Sequence, residues 1–239
     1  MLAPHAQAKD GPTPYPDAKD EQAWPGKGPI RMFGWMVDHR NAFWKRRDAD
    51  RGAVVFAGDS LTENWKAKPL GEAFPDWKLA NRGIGGDTSR GLLFRFEEDV
   101  LDLEPRALVL CIGSNDLSAH GDPAGIAANI QTMLAAARKR FPELPIVLCT
   151  VPPRAHPQAP AKPGAHADLN ARIKKLPADD KRIAVVDLVP VLGEDEGKPT
   201  KENFGEDRLH LAAPGYEKWG AALKPAFEKL GLHRDSPQP

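Results

Sequence analysis

The sequence predicts an α/β fold, a three-layer αβα sandwich on a five-stranded parallel sheet in flavodoxin-like order. The prediction rests on two patterns: short β-branched, apolar runs recur along the chain, and segments of helical periodicity separate them. Runs apolar at every position belong to strands covered on both faces. Strands alternating with helices imply right-handed crossovers, and therefore a parallel sheet with helices above and below. A chain of 239 residues suits one such domain with a short extension.

Residues 1–30, rich in Pro, Gly and Lys, read as an extended N-terminal arm that wraps the domain; residues 31–233 form the domain and 234–239 a tail. Ala6-Gln7-Ala8 fits the small-x-small end of an export signal, but the residues before it are too short for the apolar region. An exported chain, periplasmic or secreted, with most of its signal removed would carry this pattern, and so would an ordinary tail. A helical pattern runs from Met32 to Arg47, with Phe33, Trp35, Phe43 and Trp44 among charges. The first strand, Ala53 to Phe56, leads into Gly58-Asp59-Ser60. Trp77 to Asn81 is a weaker strand; Ala107 to Ile112, Ile146 to Cys149 and Ile183 to Val186 are strong ones. Leu92, Phe96 and Val100 recur every four residues. Asp122-Pro123 supplies an N-cap and first-turn proline for a helix bearing Ile126, Ile130, Met133, Leu134 and Ala137. Pro214 opens a last helix with Tyr216, Trp219, Leu223 and Phe227 on one stripe. Trp65 and Trp77 read as core or rim packing.

Lys+Arg and Asp+Glu balance at 33 each, so no net field favours nucleic acid or an anionic membrane surface. No stretch approaches the ~20 apolar residues of a transmembrane helix. Cys111 and Cys149 lie in interior strand runs and read as buried free thiols in preference to a disulfide. His156 lies in a Pro-rich stretch, Pro152 to Gly164, and His166 just after it. Without H-E-x-x-H or paired Cys/His spacing they predict no metal site, and no cofactor is expected. The stretch is a long connection at the functional edge; it either shapes selectivity or is a stiff surface loop.

In sheets of this kind the ligand crevice lies beyond the carboxyl ends of the strands, where three blocks carry unusual residues. Gly58-Asp59-Ser60-Leu61 puts a serine at a strand-to-helix turn, where a helix N-terminus favours nearby negative charge; Asp-Ser there also serves as a plain helix cap. It is not the G-x-S-x-G elbow. Asn81 to Thr88 contains Gly83-Ile84-Gly85-Gly86, but Thr88 occupies the third glycine position of a dinucleotide fingerprint and no P-loop exists. Its backbone N–H groups suit a phosphate or an ester oxyanion, and a mere tight turn fits as well. Gly113-Ser114-Asn115-Asp116 offers an amide donor, or a turn asparagine. Far downstream, Asp207 and His210 stand three residues apart before a proline-started helix. There a carboxylate can fix the imidazole tautomer that accepts a serine proton; a surface ion pair is the plainer reading.

Taken together, these blocks occur in the order that resembles SGNH/GDSL hydrolases. The likeness is strongest to the branch with the platelet-activating-factor acetylhydrolase catalytic subunits and related carbohydrate acetylesterases. It spans roughly residues 50–230. The resemblance implies Ser60 as nucleophile, His210 as general base and Asp207 as its orienter. It also implies an oxyanion hole from the N–H groups of Ser60 and Gly86 and the Asn115 side chain. Asp87 and Asp116 are read as loop supports. Ser114 departs mildly from that branch, which usually has Thr. The implied function is a serine esterase acting on short acyl, above all acetyl, esters of small molecules or carbohydrates. An O-acyltransferase using the same triad and a non-catalytic binding module are the alternatives. Asp187 and Glu206 are rival carboxylates, but neither has a histidine at the motif's offset.

Overall fold

The structure, a computed structural model, describes residues 10–233. The Ala6-Gln7-Ala8 pattern and the 234–239 tail lie outside the described residues. In chain order the first half contains α1 (Gly34–Asp50), β1 (Val54–Gly58), α2 (Ser60–Glu63), α3 (Ala67–Ala73), β2 (Leu79–Gly83) and α4 (Ser89–Asp99). The second half contains β3 (Ala107–Cys111), α5 (Ser114–Ser118), α6 (Pro123–Arg140), β4 (Ile146–Cys149), α7 (Ala165–Ile173), β5 (Ile183–Val186), α8 (Val189–Leu192) and α9 (Ala213–Lys229).

The five strands pair in the order β2-β1-β3-β4-β5, all parallel, which is the expected flavodoxin-like sheet. Every residue of β1 and β3 is buried, because helices cover both faces. Strand alternation divides β1 between two cores. Val55 and Ala57 pack with Leu92, Phe96, Ile130 and Met133 of α4 and α6. Val54 and Phe56 face Trp65, Phe74, Trp219 and Phe227 on the α3–α9 side. Trp65 is therefore core, as its sequence context implied. No helix among the described residues is long and apolar enough to cross a membrane.

Four boundaries differ from the sequence reading. The first strand runs Val54–Gly58, not Ala53 to Phe56. The first helix starts at Gly34, not Met32, and continues to Asp50. The second strand is shifted to Leu79–Gly83, because Trp77 packs on Phe227 at a ring distance of 5.0 Å before the strand begins. The third strand stops at Cys111. The Asp122 cap forms as expected, its carboxylate accepting from the N–H groups of Ala124 and Gly125.

The described part of the arm, from Asp10, is fastened along α4 and α6. Tyr15 stacks on Trp24 at 5.6 Å, and both meet Phe94. Arg90 donates to the carbonyls of Glu21, Trp24, Pro25 and Gly28. Asn129 accepts from Lys27 N–H and donates to Lys27 O. The Arg90 and Asn129 anchors satisfy backbone groups that an unpaired strap would leave unbonded.

Beneath the arm lies a buried Arg95 guanidinium, which donates to Asp87 Oδ2 (2.8 Å), Arg82 O (2.9 Å) and Gly58 O (3.1 Å). Removing one partner of a buried pair leaves the other charge uncompensated. Asp87→Ala is expected to cost about 3 kcal/mol of stability, measured as the shift of a urea unfolding curve. A loss below ~1 kcal/mol would mean that Asp99, 3.5 Å from Arg95, compensates on its own.

Candidate active site

The Ser60 turn is set by crowding. A Cβ at Gly58 would meet Cys111 O at 2.2 Å, and one at Gly83 would meet Glu63 N at 2.2 Å, so only glycine lets β1, β2 and α2 approach this closely. Asp59 caps α2, its Oδ1 accepting from Leu61 N–H at 3.0 Å. Because α2 has only four residues, the helix field expected at Ser60 is small. What the turn does supply is the Ser60 N–H itself, which has no acceptor among the described residues.

His210 reaches the serine from 150 residues away. Its Nε2 lies 2.8 Å from Ser60 Oγ, and its Nδ1 lies 2.6 Å from Asp207 Oδ2. Asp207 Oδ1 accepts from Leu209 N–H and His210 N–H, both at 2.9 Å. With a carboxylate at Nδ1 the ring proton belongs there, leaving Nε2 as the acceptor that faces the hydroxyl. Burial alone would raise the Asp207 carboxyl. The His210 backbone N–H and imidazole, with Leu209 N–H, outweigh it and hold the group below its ordinary value. The carrying turn is closed by Gly205 N–H to His210 O (2.8 Å) and a Phe204–Leu211 bridge.

The Gly83–Asp87 loop faces the serine from the other side. A Cβ built on Gly85 would lie 3.8 Å from Ser60 Cβ. Gly86 has φ +84°, and a Cβ there would sit 2.9 Å from the Phe33 ring, so this position requires glycine twice over. Its N–H has no acceptor among the described residues. Asn115 leans on the same loop, its Nδ2 donating to Asp87 O at 3.0 Å while its Oδ1 accepts from Arg31 Nη1 at 2.9 Å. The loop is clamped by Glu63 Oε2 accepting from Gly85 N–H (2.5 Å) and by Trp35 Nε1 donating to Gly85 O (2.9 Å). Ser60, Gly86, Asn115, Asp207 and His210 are all half-buried.

The remaining candidates have other partners. Asp116 accepts from the N–H and Oγ of Ser89 and Asp87 holds Arg95, so both support loops. Asp187 accepts from Thr150 Oγ1 and pairs with Lys174; Glu206 is exposed. His166 is buried with Nε2 against Val151 O, and His156 Nδ1 accepts from Gln158 N–H. Both line a cleft of about 420 Å³ under the Pro-rich stretch. That stretch abuts the Asp207–His210 turn through Ala155 N–H to Arg208 O. Cys111 and Cys149 are free, buried thiols.

Residues 56–218 match the model of the GDSL-like lipase/acylhydrolase family. The chain belongs to that family. It is accordingly a carboxylic ester hydrolase. This GDSL-family hydrolase is 28% identical over 204 residues to the human platelet-activating factor acetylhydrolase IB subunit alpha2, covering 82% of this chain and 83% of that one. A solved GDSL-like lipase from Bacteroides thetaiotaomicron is 30% identical, with a TM-score of 0.65 over 77% of this chain and 90% of its own. An acetyl xylan esterase shares the fold at 24% identity and a TM-score of 0.54, over 72% of this chain and 98% of its own.

Sequence reading did not single out Arg31, Trp35 or Glu63, which touch the candidate site. Glu63 had a usable signal, one helical turn after Ser60; Trp35 was read only as part of the first helical pattern, and Arg31, just ahead of that pattern, had none.

Burial pushes the Asp59 carboxyl up to about 7 and the Asp116 carboxyl up to about 6, both above an unfolded value of ~3.9. Stability linked to them is complete below that unfolded value and is lost as pH rises through 6 and 7. Asp59→Asn keeps the cap acceptor and removes the Asp59 share. Between pH 5 and 8 the variant should gain roughly 2 kcal/mol on wild type in urea unfolding. Parallel pH profiles would show that Asp59 does not titrate there.

Proposed function

We propose that the protein is a serine esterase that hydrolyses short-chain, chiefly acetyl, esters through an acyl-enzyme formed on Ser60. Acetylated carbohydrates are the leading substrate class. The observation that carries the reading is the unbroken relay from Ser60 Oγ to His210 Nε2 (2.8 Å) and from His210 Nδ1 to Asp207 (2.6 Å). Likeness to platelet-activating factor acetylhydrolase subunits across four-fifths of the chain supports a short acyl group.

The chemistry runs in two steps. Ser60 Oγ attacks the ester carbonyl as His210 Nε2 takes its proton, and the imidazolium so formed faces the Asp207 carboxylate. Negative charge grows on the carbonyl oxygen and is received by Ser60 N–H, Gly86 N–H and the Asn115 amide. The tetrahedral centre then expels the alcohol, which takes the proton back from His210. Water, deprotonated by His210, attacks the acyl-serine, and collapse releases the carboxylic acid and free Ser60.

A panel of aryl esters of increasing acyl length, run beside acetylated sugars, tests the reading. Activity should peak at acetyl and vanish in Ser60→Ala. Asn115→Ala should lower kcat about a hundredfold, the ~3 kcal/mol of one oxyanion donor, with an unchanged unfolding curve. Turnover by Asn115→Ala within threefold of wild type would remove Asn115 from the site. A preference for long acyl chains would remove the acetyl assignment, and products formed only with an added acceptor alcohol would make the protein an O-acyltransferase.

A further inference from the structure

We infer that Arg31, the residue directly after the N-terminal arm, is a positioning residue that sets which way the Asn115 amide faces. This rests on the reading of Asn115 as an oxyanion donor. The two ends of an asparagine amide are nearly equal in shape but opposite in polarity. Turned one way, Asn115 offers N–H to a developing oxyanion; turned the other, it offers a carbonyl oxygen that repels it.

Two one-way partners decide between these states. A guanidinium can only donate, and Arg31 Nη1 meets Asn115 Oδ1 at 2.9 Å. A backbone carbonyl can only accept, and Asp87 O receives Asn115 Nδ2 at 3.0 Å. A flipped amide would set NH₂ against guanidinium and oxygen against oxygen, losing both bonds at once. The Arg31 bond is also charge-assisted, so it draws electron density from the amide and strengthens the remaining N–H as a donor.

Arg31 is not a loose surface side chain. Two residues before it, Pro29 O accepts from Thr88 Oγ1 at 3.0 Å, and two residues after it Phe33 lies against Gly86. The chain is thereby fixed to the oxyanion loop on both sides of the arginine. Arg31 also lies before residue 56, where the family match begins, so this part of the site comes from outside the matched segment.

The test is a double-mutant cycle on an acetyl ester, with Arg31→Ala and Arg31→Lys made in wild-type and Asn115→Ala backgrounds. Arg31→Ala should lower kcat about tenfold with KM within about twofold, since the interaction is felt in the transition state. Arg31→Lys, which keeps one charged donor, should recover part of the loss, and added guanidinium chloride at non-denaturing concentration should raise the Arg31→Ala rate but not that of wild type. In the Asn115→Ala background, Arg31→Ala should change kcat less than about twofold, because no amide remains to orient. Equal losses in both backgrounds, or no loss in an otherwise normal Asn115, would overturn the inference while leaving the proposed function intact. Wild-type turnover by Asn115→Ala would instead overturn the oxyanion reading beneath it.

Discussion

One buried guanidinium ties the two sides of the site together. Arg95 donates to Gly58 O at the end of β1, to Arg82 O near the end of β2, and to Asp87 at the end of the glycine loop. Gly58 comes two residues before Ser60, and Asp87 directly follows Gly86. Ser60 and the loop opposite it therefore share a common anchor. Three donors aimed at three buried acceptors, with Asp99 nearby, account for a full charge in the core, and the site inherits that rigidity.

The third part of the site arrives by a different route. The Asp207–His210 turn lies far along the chain and is closed by its own hydrogen bonds before it touches Ser60. Arg208 within it has φ +56°, a left-handed conformation that costs a non-glycine residue roughly 1 kcal/mol. The Pro-rich stretch helps hold that geometry, since Ala155 N–H donates to Arg208 O. Under the proposed mechanism, a carboxylate and imidazole already in place would need no reorganisation when charge develops.

Much of this was legible in the chain because strand, turn and cap signals are local. The β-branched runs gave the strands of the sheet, Asp122-Pro123 marked the start of α6, and the D-x-x-H spacing matched a turn that brings both side chains together. Other features depend on packing. Trp77 resembles a strand residue until Phe227 is placed beside it. Nothing in the helical pattern around Leu92 and Phe96 marks Arg95; only the ends of β1 and β2 reveal it as a buried anchor. Arg31 meets Asn115 across 84 positions of sequence, a distance no periodicity reaches. The helix field anticipated at Ser60 shrank because α2 ends after one turn, which a capping signal alone cannot foretell.

Whether these convergent groups act as a nucleophile and its base is decided most directly by trapping the intermediate. An acetyl ester mixed with the protein and quenched in acid within the first turnover, then digested and weighed by mass spectrometry, locates any covalent adduct. The account predicts one acetyl group on the Ser60 peptide of the wild type, and none when His210 is replaced by Ala. Turnover with Ser60 unmodified, or an adduct on another side chain, would contradict it.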